Sequence, residues 1–419
     1  MSSVLDSEKI DAELAQGLPG LDISGQRLLL IIPDKTRTAP VADLVQRIVP
    51  MLRDLGAAID ILVALGTHPQ LPEKELLEHV GLTTDVRPAA FKDVNIMNHA
   101  WDDPNTIVKV GEISKTRVEA LTDGRISEDV ELTLNRVVHE YDRLLVLGPV
   151  FPHEIAGFSG GAKYLFPGIS GIEMINFFHW LGAIITSYRN IGTIDNPVRQ
   201  ALNEAAALVP IPVDAISIVV HDGGLVHLSV GPLTDSWREA AIESAKHHIL
   251  RKPRQFRRAL SCCPLMYEDM WTGGKCMYKL EPVIQDGGEI VIYAPHVDSL
   301  SVVHGAAMKR IGYHVIDYFL EHMDQYPDVS KTVMSVAAFV RGSGTYTGGV
   351  ERPRINLKIA SKIPRDELED VGLGYTDPET IKFEEWKDRE DEGILYVERA
   401  GETLYVPEGD PRGANAPAG

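Results

Sequence analysis

The sequence predicts an α/β fold: two α/β domains with mainly parallel sheets. Three observations carry that prediction. Short apolar runs such as Leu28-Leu29-Leu30-Ile31-Ile32 and Leu144-Leu145-Val146-Leu147 end abruptly in polar turns, as strands buried on both faces do. The stretches between them carry apolar residues at helical spacing, and strands alternating with helices imply parallel crossover units. The pattern then restarts after about Ala259, beyond a stop at Lys252-Pro253. At roughly 150 residues per domain, a chain of 419 residues has a prior of two or three. The expected division is residues 1–255, an N-terminal domain, and 256–392, a C-terminal domain, with the tail 393–419 rejoining the first.

Taken in order, Arg27 to Asp34 is the first buried strand, ended by Pro33. Val41 to Leu55 is a helix with Leu44, Ile48, Leu52 and Leu55 on one face, Pro50 as a kink and Gly56 as its stop. Ile59 to Leu65 is the second strand, ending at Gly66-Thr67-His68-Pro69, and Leu71 to Val80 is a helix closed by Gly81. Asn95 to Asn98, Ile107 to Val110 and Val130 to Leu134 are weaker strands. Arg143 to Leu147 is strong and opens into the long turn Gly148 to Gly161. Ala215 to His221 and Leu225 to Val230 read as a hairpin around Asp222-Gly223-Gly224, followed by a helix from Trp237 to Leu250. Glu289 to Ala294 is the clearest later strand, Ser299 to Ile311 is helical, and Leu395 to Val406 reads as a closing hairpin around Gly401. The tail from Pro407 to Gly419, rich in Gly, Pro and Ala, is expected to be mobile.

Composition narrows the function classes. With 41 basic against 60 acidic residues the net charge is −19, which argues against a broad nucleic-acid or anionic-membrane surface and leaves room only for a local basic pocket. Three cysteines, Cys262, Cys263 and Cys276, make neither a disulfide framework nor a four-cysteine zinc site. The N-terminus has no signal-peptide pattern and no apolar run approaches the ~18 residues of a membrane span, so a cytoplasmic protein is expected.

In open α/β sheets ligands bind beyond the carboxyl ends of the strands. Three strand ends here carry residues of catalytic type: Asp34-Lys35-Thr36-Arg37, Thr67-His68, and His153 to Lys163. The densest is Pro152-His153-Glu154-Ile155-Ala156-Gly157-Phe158-Ser159-Gly160-Gly161-Ala162-Lys163, a glycine loop with a serine and a lysine, suited to cradling a phosphate with backbone amides. It departs from the P-loop because Tyr164, not Ser or Thr, follows Lys163 and leaves magnesium without its hydroxyl. A zincin helix fails too, since Gly157 stands where the second histidine belongs. Taken singly, each feature has a plainer reading: a tight turn for the glycines, a helix cap for Asp34, a core histidine for His179. Their joint placement at strand ends favours function.

This set, Asp34 to Arg37, Gly66-Thr67-His68, His153 with Ala156 to Gly161 and Lys163, Pro167-Gly168 and His179, resembles the nickel-dependent lactate racemase family, including the spacings between His153, Lys163 and His179. The resemblance implies an active site in a cleft between the domains, the N-terminal one binding the cofactor. That cofactor is the nickel-pincer nucleotide, Ni(II)-pyridinium-3,5-bisthiocarboxylic acid mononucleotide. It implies covalent attachment through Lys163, nickel ligation by His179, and nucleotide contacts from Asp34, Lys35, Thr36, Arg37, Ser159, Gly160 and Gly161. His68 and His153 would be the two acid/base groups, with Arg37 also near the substrate carboxylate. The reaction implied is inversion of the hydroxyl-bearing carbon of a 2-hydroxy acid by proton-coupled hydride transfer. Inversion with one hydride carrier calls for an acid/base on each side, which histidine supplies near neutral pH. Nickel's liking for nitrogen and sulfur in a square plane suits three pincer atoms and one imidazole.

The second domain departs from the family pattern Tyr-Gln-x-x-Lys. It has Trp271-Thr272-Gly273-Gly274-Lys275, keeping Lys275 and replacing the glutamine by Thr272. Ala162 replaces an arginine before the cofactor lysine, and Pro69 follows the strand-end histidine. Small residues at 272–274 leave room for a longer polyhydroxy chain and Trp271 offers a flat wall, so a sugar acid such as an aldonate is expected over lactate, with Trp271, Thr272 and Lys275 lining the substrate. The expected partners are that small acid and the enzymes that make the cofactor. The other readings are a kinase or ATPase using the glycine loop, and a non-catalytic cofactor or hydroxy-acid carrier.

Overall fold

The computed structural model describes residues 4–84 and 87–413. It is built on two large sheets, with smaller two-stranded ones beside them. The first runs Gly224–Pro232, Val213–His221, Arg143–Pro149, Arg27–Pro33, Ala58–Ala64, Ile96–Asn98. Arg27–Pro33 pairs in parallel with a strand on each side, and Leu28 to Ile32 are wholly buried, as an unbroken apolar run requires. Only the edge hairpin Val213–His221/Gly224–Pro232 is antiparallel. The helix Val41–Asp54 buries Val41, Leu44, Val45, Ile48, Val49 and Leu52 on one stripe, and Pro50 lies inside it.

The second sheet runs Gly374–Tyr375, Asn356–Ser361, Ile284–Ala294, Phe256–Cys262, Ile394–Val397, and every pairing in it is parallel. The chain is therefore α/β with mainly parallel sheets, and the weaker pair Ile107–Ile113/Val130–Asn135 forms a separate antiparallel ribbon.

Two expectations change. The closing hairpin does not form: Ile394–Val397 joins the second sheet beside Phe256–Cys262, while Leu404–Pro407 pairs in parallel with Ile249–Lys252. Both segments are apolar and short, so each finds a separate edge rather than its neighbour. The second sheet thus reaches past residue 392, and only the following strand returns to the first half. The helix placed over Ser299 to Ile311 begins at Gly305, since 299–304 hold a loop. Of the tail, residues 414–419 lie outside the described residues.

The two halves share one apolar core containing Leu29, Leu144, Ile290 and Ile359. The helix Ile172–Ile185 from the first half packs on Lys331–Arg341 from the second, where Thr332 N and Oγ1 donate to Asn176 Oδ1 at 3.3 and 2.8 Å. Lys331 pairs with Glu128 at 3.0 Å, and Arg125 with Asp317. Among the described residues no helix is long and apolar enough to cross a membrane.

Candidate active site

Sheet order decides which loops meet. Arg27–Pro33 lies between Ala58–Ala64 and Arg143–Pro149, so Asp34 emerges between His68 on one side and the His153–Lys163 loop on the other.

Asp34 is buried and its carboxylate is fully engaged. Oδ1 accepts from Thr36 N at 3.2 Å and Thr36 Oγ1 at 2.7 Å, and Oδ2 accepts from His68 Nδ1. Burial pushes the Asp34 pKa up, but the bonds from His68 and Thr36 and the nearby Arg37 charge outweigh it and hold the group below 3.8. A carboxylate can only accept, so His68 Nδ1 carries the proton. The His68 side chain is 51% exposed. It is a base held by an orienting acid.

His153 sits in the two-residue ladder Pro152–His153/Gly157–Phe158. Its Nδ1 accepts from Ile155 N at 3.1 Å, and a backbone N–H can only donate, so in the neutral ring the proton lies on Nε2. Glu154 Oε2 stands 3.4 Å from the same nitrogen and could accept only if that nitrogen were protonated. Burial, then the charges of Lys163, Arg37 and Lys279, press the His153 pKa well below 6.5. In their neutral forms His68 and His153 thus present opposite faces, one an acceptor nitrogen and one an N–H.

His179 lies on the helix Ile172–Ile185. Its Nδ1 donates to Ile175 O at 2.7 Å, which fixes the tautomer and leaves the Nε2 lone pair free. Burial is the main reason its pKa falls to about 4. A neutral imidazole whose other nitrogen is tied to a carbonyl is what a metal ligand needs. No cluster of three or more His, Cys, Asp or Glu among the described residues could hold a metal unaided, so remaining ligands would have to come with a cofactor.

Lys163 is half-buried in the short turn Gly161–Tyr164, and its amine has no hydrogen-bond or ion-pair partner among the described residues. Burial first, then the Arg37 charge, bring its pKa down to about 7, against the pull of Glu154. A fraction of this amine is therefore uncharged and nucleophilic near neutral pH. The two glycines before it are required by shape. Gly160 and Gly161 have φ of +78° and +59°, and a Cβ on Gly161 would lie 2.8 Å from the Trp237 ring.

The remaining predicted positions divide. Arg37 lies over the Phe151 ring, 5.8 Å from its centre, and its charge acts on His153, Lys163 and Lys275 alike, so it belongs to the cluster. Lys275 is half-buried above the Tyr267 ring at 5.0 Å, its pKa lowered by burial. Lys35 does not join them: it points outward and pairs with Glu75. Ser159 Oγ is spent on the fold, donating to Pro149 O at 2.9 Å and accepting from Phe151 N at 3.0 Å. Thr272 Oγ1 donates to Asp269 Oδ1 at 2.8 Å within a helix cap, and Trp271 stacks on His304 with ring centres 4.6 Å apart. Gly274 serves packing, since a Cβ there would lie 2.5 Å from Val340 Cγ2, so its small size does not open space for substrate.

Sequence reasoning missed Arg199, Trp237 and Lys279. Lys279 is buried, donates to Pro152 O at 2.7 Å and Glu402 O at 3.2 Å, and so ties the second half to the residue before His153. Arg199 and Trp237 brace the glycine loop from behind. A lysine inside the apolar stretch Cys276 to Leu280 was the one visible signal; Arg199 and Trp237 sit on ordinary amphipathic helices that mark neither out.

Comparison with known proteins places likenesses over the part of the chain that carries this cluster. Residues 14–192 match the lactate racemase N-terminal domain. The lactate racemase of Lactiplantibacillus plantarum is 28% identical over 181 residues, 43% of this chain and 36% of that protein. The lactate racemase of Thermoanaerobacterium thermosaccharolyticum is 26% identical over 184 residues, 43% of this chain and 39% of that one. The matched stretch therefore spans little more than a third of those curated relatives. Among solved structures, a Thermotoga maritima protein superposes with a TM-score of 0.82 at 28% identity, covering 97% of this chain and 100% of its own. The lactate racemase apoprotein from T. thermosaccharolyticum shares the fold, with a TM-score of 0.71 at 16% identity over 96% of this chain and 93% of that one.

Proposed function

From the likeness of residues 14–192 to the lactate racemase N-terminal domain, we propose that this chain is an isomerase, a racemase or epimerase that inverts C2 of a 2-hydroxy acid. The observation that carries the reading is the opposite hydrogen bonding of the Nδ1 atoms of two histidines on either side of one strand end. Asp34 holds the proton on His68 Nδ1 and leaves Nε2 to accept; Ile155 N holds His153 Nδ1 and leaves Nε2 to donate. Inversion needs a base that takes the hydroxyl proton on one side and a donor that hydrogen-bonds the resulting carbonyl oxygen on the other. A neutral imidazole N–H serves as that donor, and the proton is returned by whichever imidazole carries it as imidazolium, with the roles exchanged in reverse.

The residues present fit the nickel-pincer nucleotide. His179 Nε2 would ligate the metal and the unpaired Lys163 amine would bind the cofactor covalently, while Arg37, the Asp34 turn and the amides around Gly160 and Gly161 would take the nucleotide. When bound, that group supplies the hydride acceptor. The chain does the rest. Arg37 and Lys275 hold the substrate carboxylate by charge, and the low-dielectric surroundings of His153 and Lys163 strengthen that hold. A correctly placed base contributes roughly a hundred- to ten-thousand-fold.

For the substrate, we favour a sugar acid such as an aldonate over lactate, supported by Trp271 as a flat wall and by Thr272 where the family pattern has glutamine. The test offers the protein, made beside the cofactor-synthesis enzymes, single stereoisomers of lactate, malate, phenyllactate and an aldonate deuterated at C2. The proposal expects inversion at C2 with a primary isotope effect, fastest for the aldonate. Failure to invert any of the four would overturn the assignment; lactate turning over fastest would overturn only the substrate preference.

A further inference from the structure

We propose that Arg199 is the positioning residue of the lysine loop, fixing the backbone that presents Lys163 and adding a second positive charge to the field at its amine. The inference rests on the reading of Lys163 as the attaching amine, and it concerns a residue outside the expected site.

Arg199 is 1% exposed on the helix Pro197–Ala207, and among the described residues no carboxylate lies within ion-pair distance of it. Its guanidinium donates to Phe158 O and, at 3.3 Å, to Gly160 O, and it lies 4.0 Å over the Trp237 ring. Trp237 Nε1 in turn donates to Ser159 O at 2.8 Å. Three consecutive loop carbonyls are thus held by one stacked pair. Gly160 O also accepts from Lys163 N at 3.3 Å, so Arg199 and the Lys163 backbone share an acceptor.

A buried cation without an anion is a poor stabiliser, because its desolvation is not offset by pairing. Arg199 Nε is moreover buried with no partner. Stability alone does not explain such a residue; the loop it holds does, since its donors meet the carbonyls on both sides of Ser159 and one of these is shared with the Lys163 backbone. Lys163 is faced by Arg37 and Arg199 as cations and by Glu154 and Asp34 as anions, with His153 and His179 also within its field. The Arg199 charge acts on the Lys163 amine in the same direction as burial, keeping part of it neutral and able to attack a carbonyl carbon.

The test uses the full chain without cofactor. Trace acetylation with acetic anhydride at pH 7 is read at Lys163 by peptide mass spectrometry against exposed Lys74, and amide exchange is followed over 157–164. In Arg199→Met, relative acetylation of Lys163 should fall by more than about twofold, because losing the Arg199 charge raises the Lys163 pKa, and the loop amides should exchange faster. In Arg199→Lys the charge remains, so acetylation should stay within about twofold while the loop still exchanges faster, one ammonium being unable to bridge both carbonyls. A folded Met variant with both readouts unchanged overturns the proposal; loop exchange changing without acetylation overturns the charge role. If the Met variant does not fold, the Lys variant decides: unchanged loop exchange overturns the positioning role, and a fall in acetylation overturns the charge role. Failure of the wild type to take up a nickel nucleotide would remove the functional reading while leaving these apo-protein readouts as they stand.

Discussion

Because Ile175 O takes the Nδ1 proton of His179, the free Nε2 is set by the helix itself and needs no metal to form. The pKa of about 4 has a consequence for stability. The unfolded chain binds a proton at this histidine below pH 6.5, the folded chain only near 4, so between those values the unfolded state binds more protons. Stability from this group is complete above pH 6.5 and is lost as pH falls toward 4, and buried His153 acts in the same direction. Urea unfolding of the cofactor-free protein should show a lower midpoint at pH 5 than at pH 7.5. His179→Asn should shrink that difference; an equal loss in wild type and variant would contradict the assignment. Legibility at this scale was uneven. Asp34, His68, His153 and Lys163 stood out because catalytic residue types sat at strand ends, and His179, on an apolar helix, only through the family resemblance, whereas the outward turn of Lys35 and the spent hydroxyls of Ser159 and Thr272 depend on partners remote in sequence or on local turns.

The glycine loop behaves as one element because its carbonyls and its φ angles are both constrained. A Cβ on Gly161 would press on Trp237 and sit at a φ of +59°, so Gly161→Ala should cost about 1–3 kcal/mol and lower the melting temperature. Trp237→Phe keeps the stacking surface but frees Ser159 O, and should cost roughly 1 kcal/mol by the loss of one buried hydrogen bond. Calorimetry on both variants separates strain from bonding; a neutral Gly161→Ala would mean the loop relaxes without resistance. Elements buried on both faces, such as Arg27–Pro33, were legible because their apolar runs leave no polar side to misread. The short strands Ile394–Val397 and Leu404–Pro407 were not, since four residues fix neither partner nor direction, and pairing was decided by which sheet edges stood open.

At the scale of the whole molecule the halves are joined by a shared core, by the Asn176–Thr332 bonds and by Lys279 on Pro152. One core implies one cooperative unfolding transition. Asn176→Ala should lower its midpoint, by about 1–2 kcal/mol for two lost bonds, without splitting it in two. Two resolved transitions would show that the halves fold independently. A helix stop and a restarted pattern coincide near Lys252-Pro253, and the expected return of the tail to the first half is met by Leu404–Pro407 on Ile249–Lys252, though neither segment wrote the pairing itself. The central claim is that Lys163 and His179 together hold a nickel nucleotide in this framework. Its most direct test is denatured and native intact mass with nickel analysis on protein produced beside the cofactor-synthesis enzymes. The account predicts an added mass that survives denaturation in the wild type and is lost in Lys163→Ala, and nickel that falls in His179→Ala while the protein stays folded. Nickel and mass unchanged in both variants would contradict it.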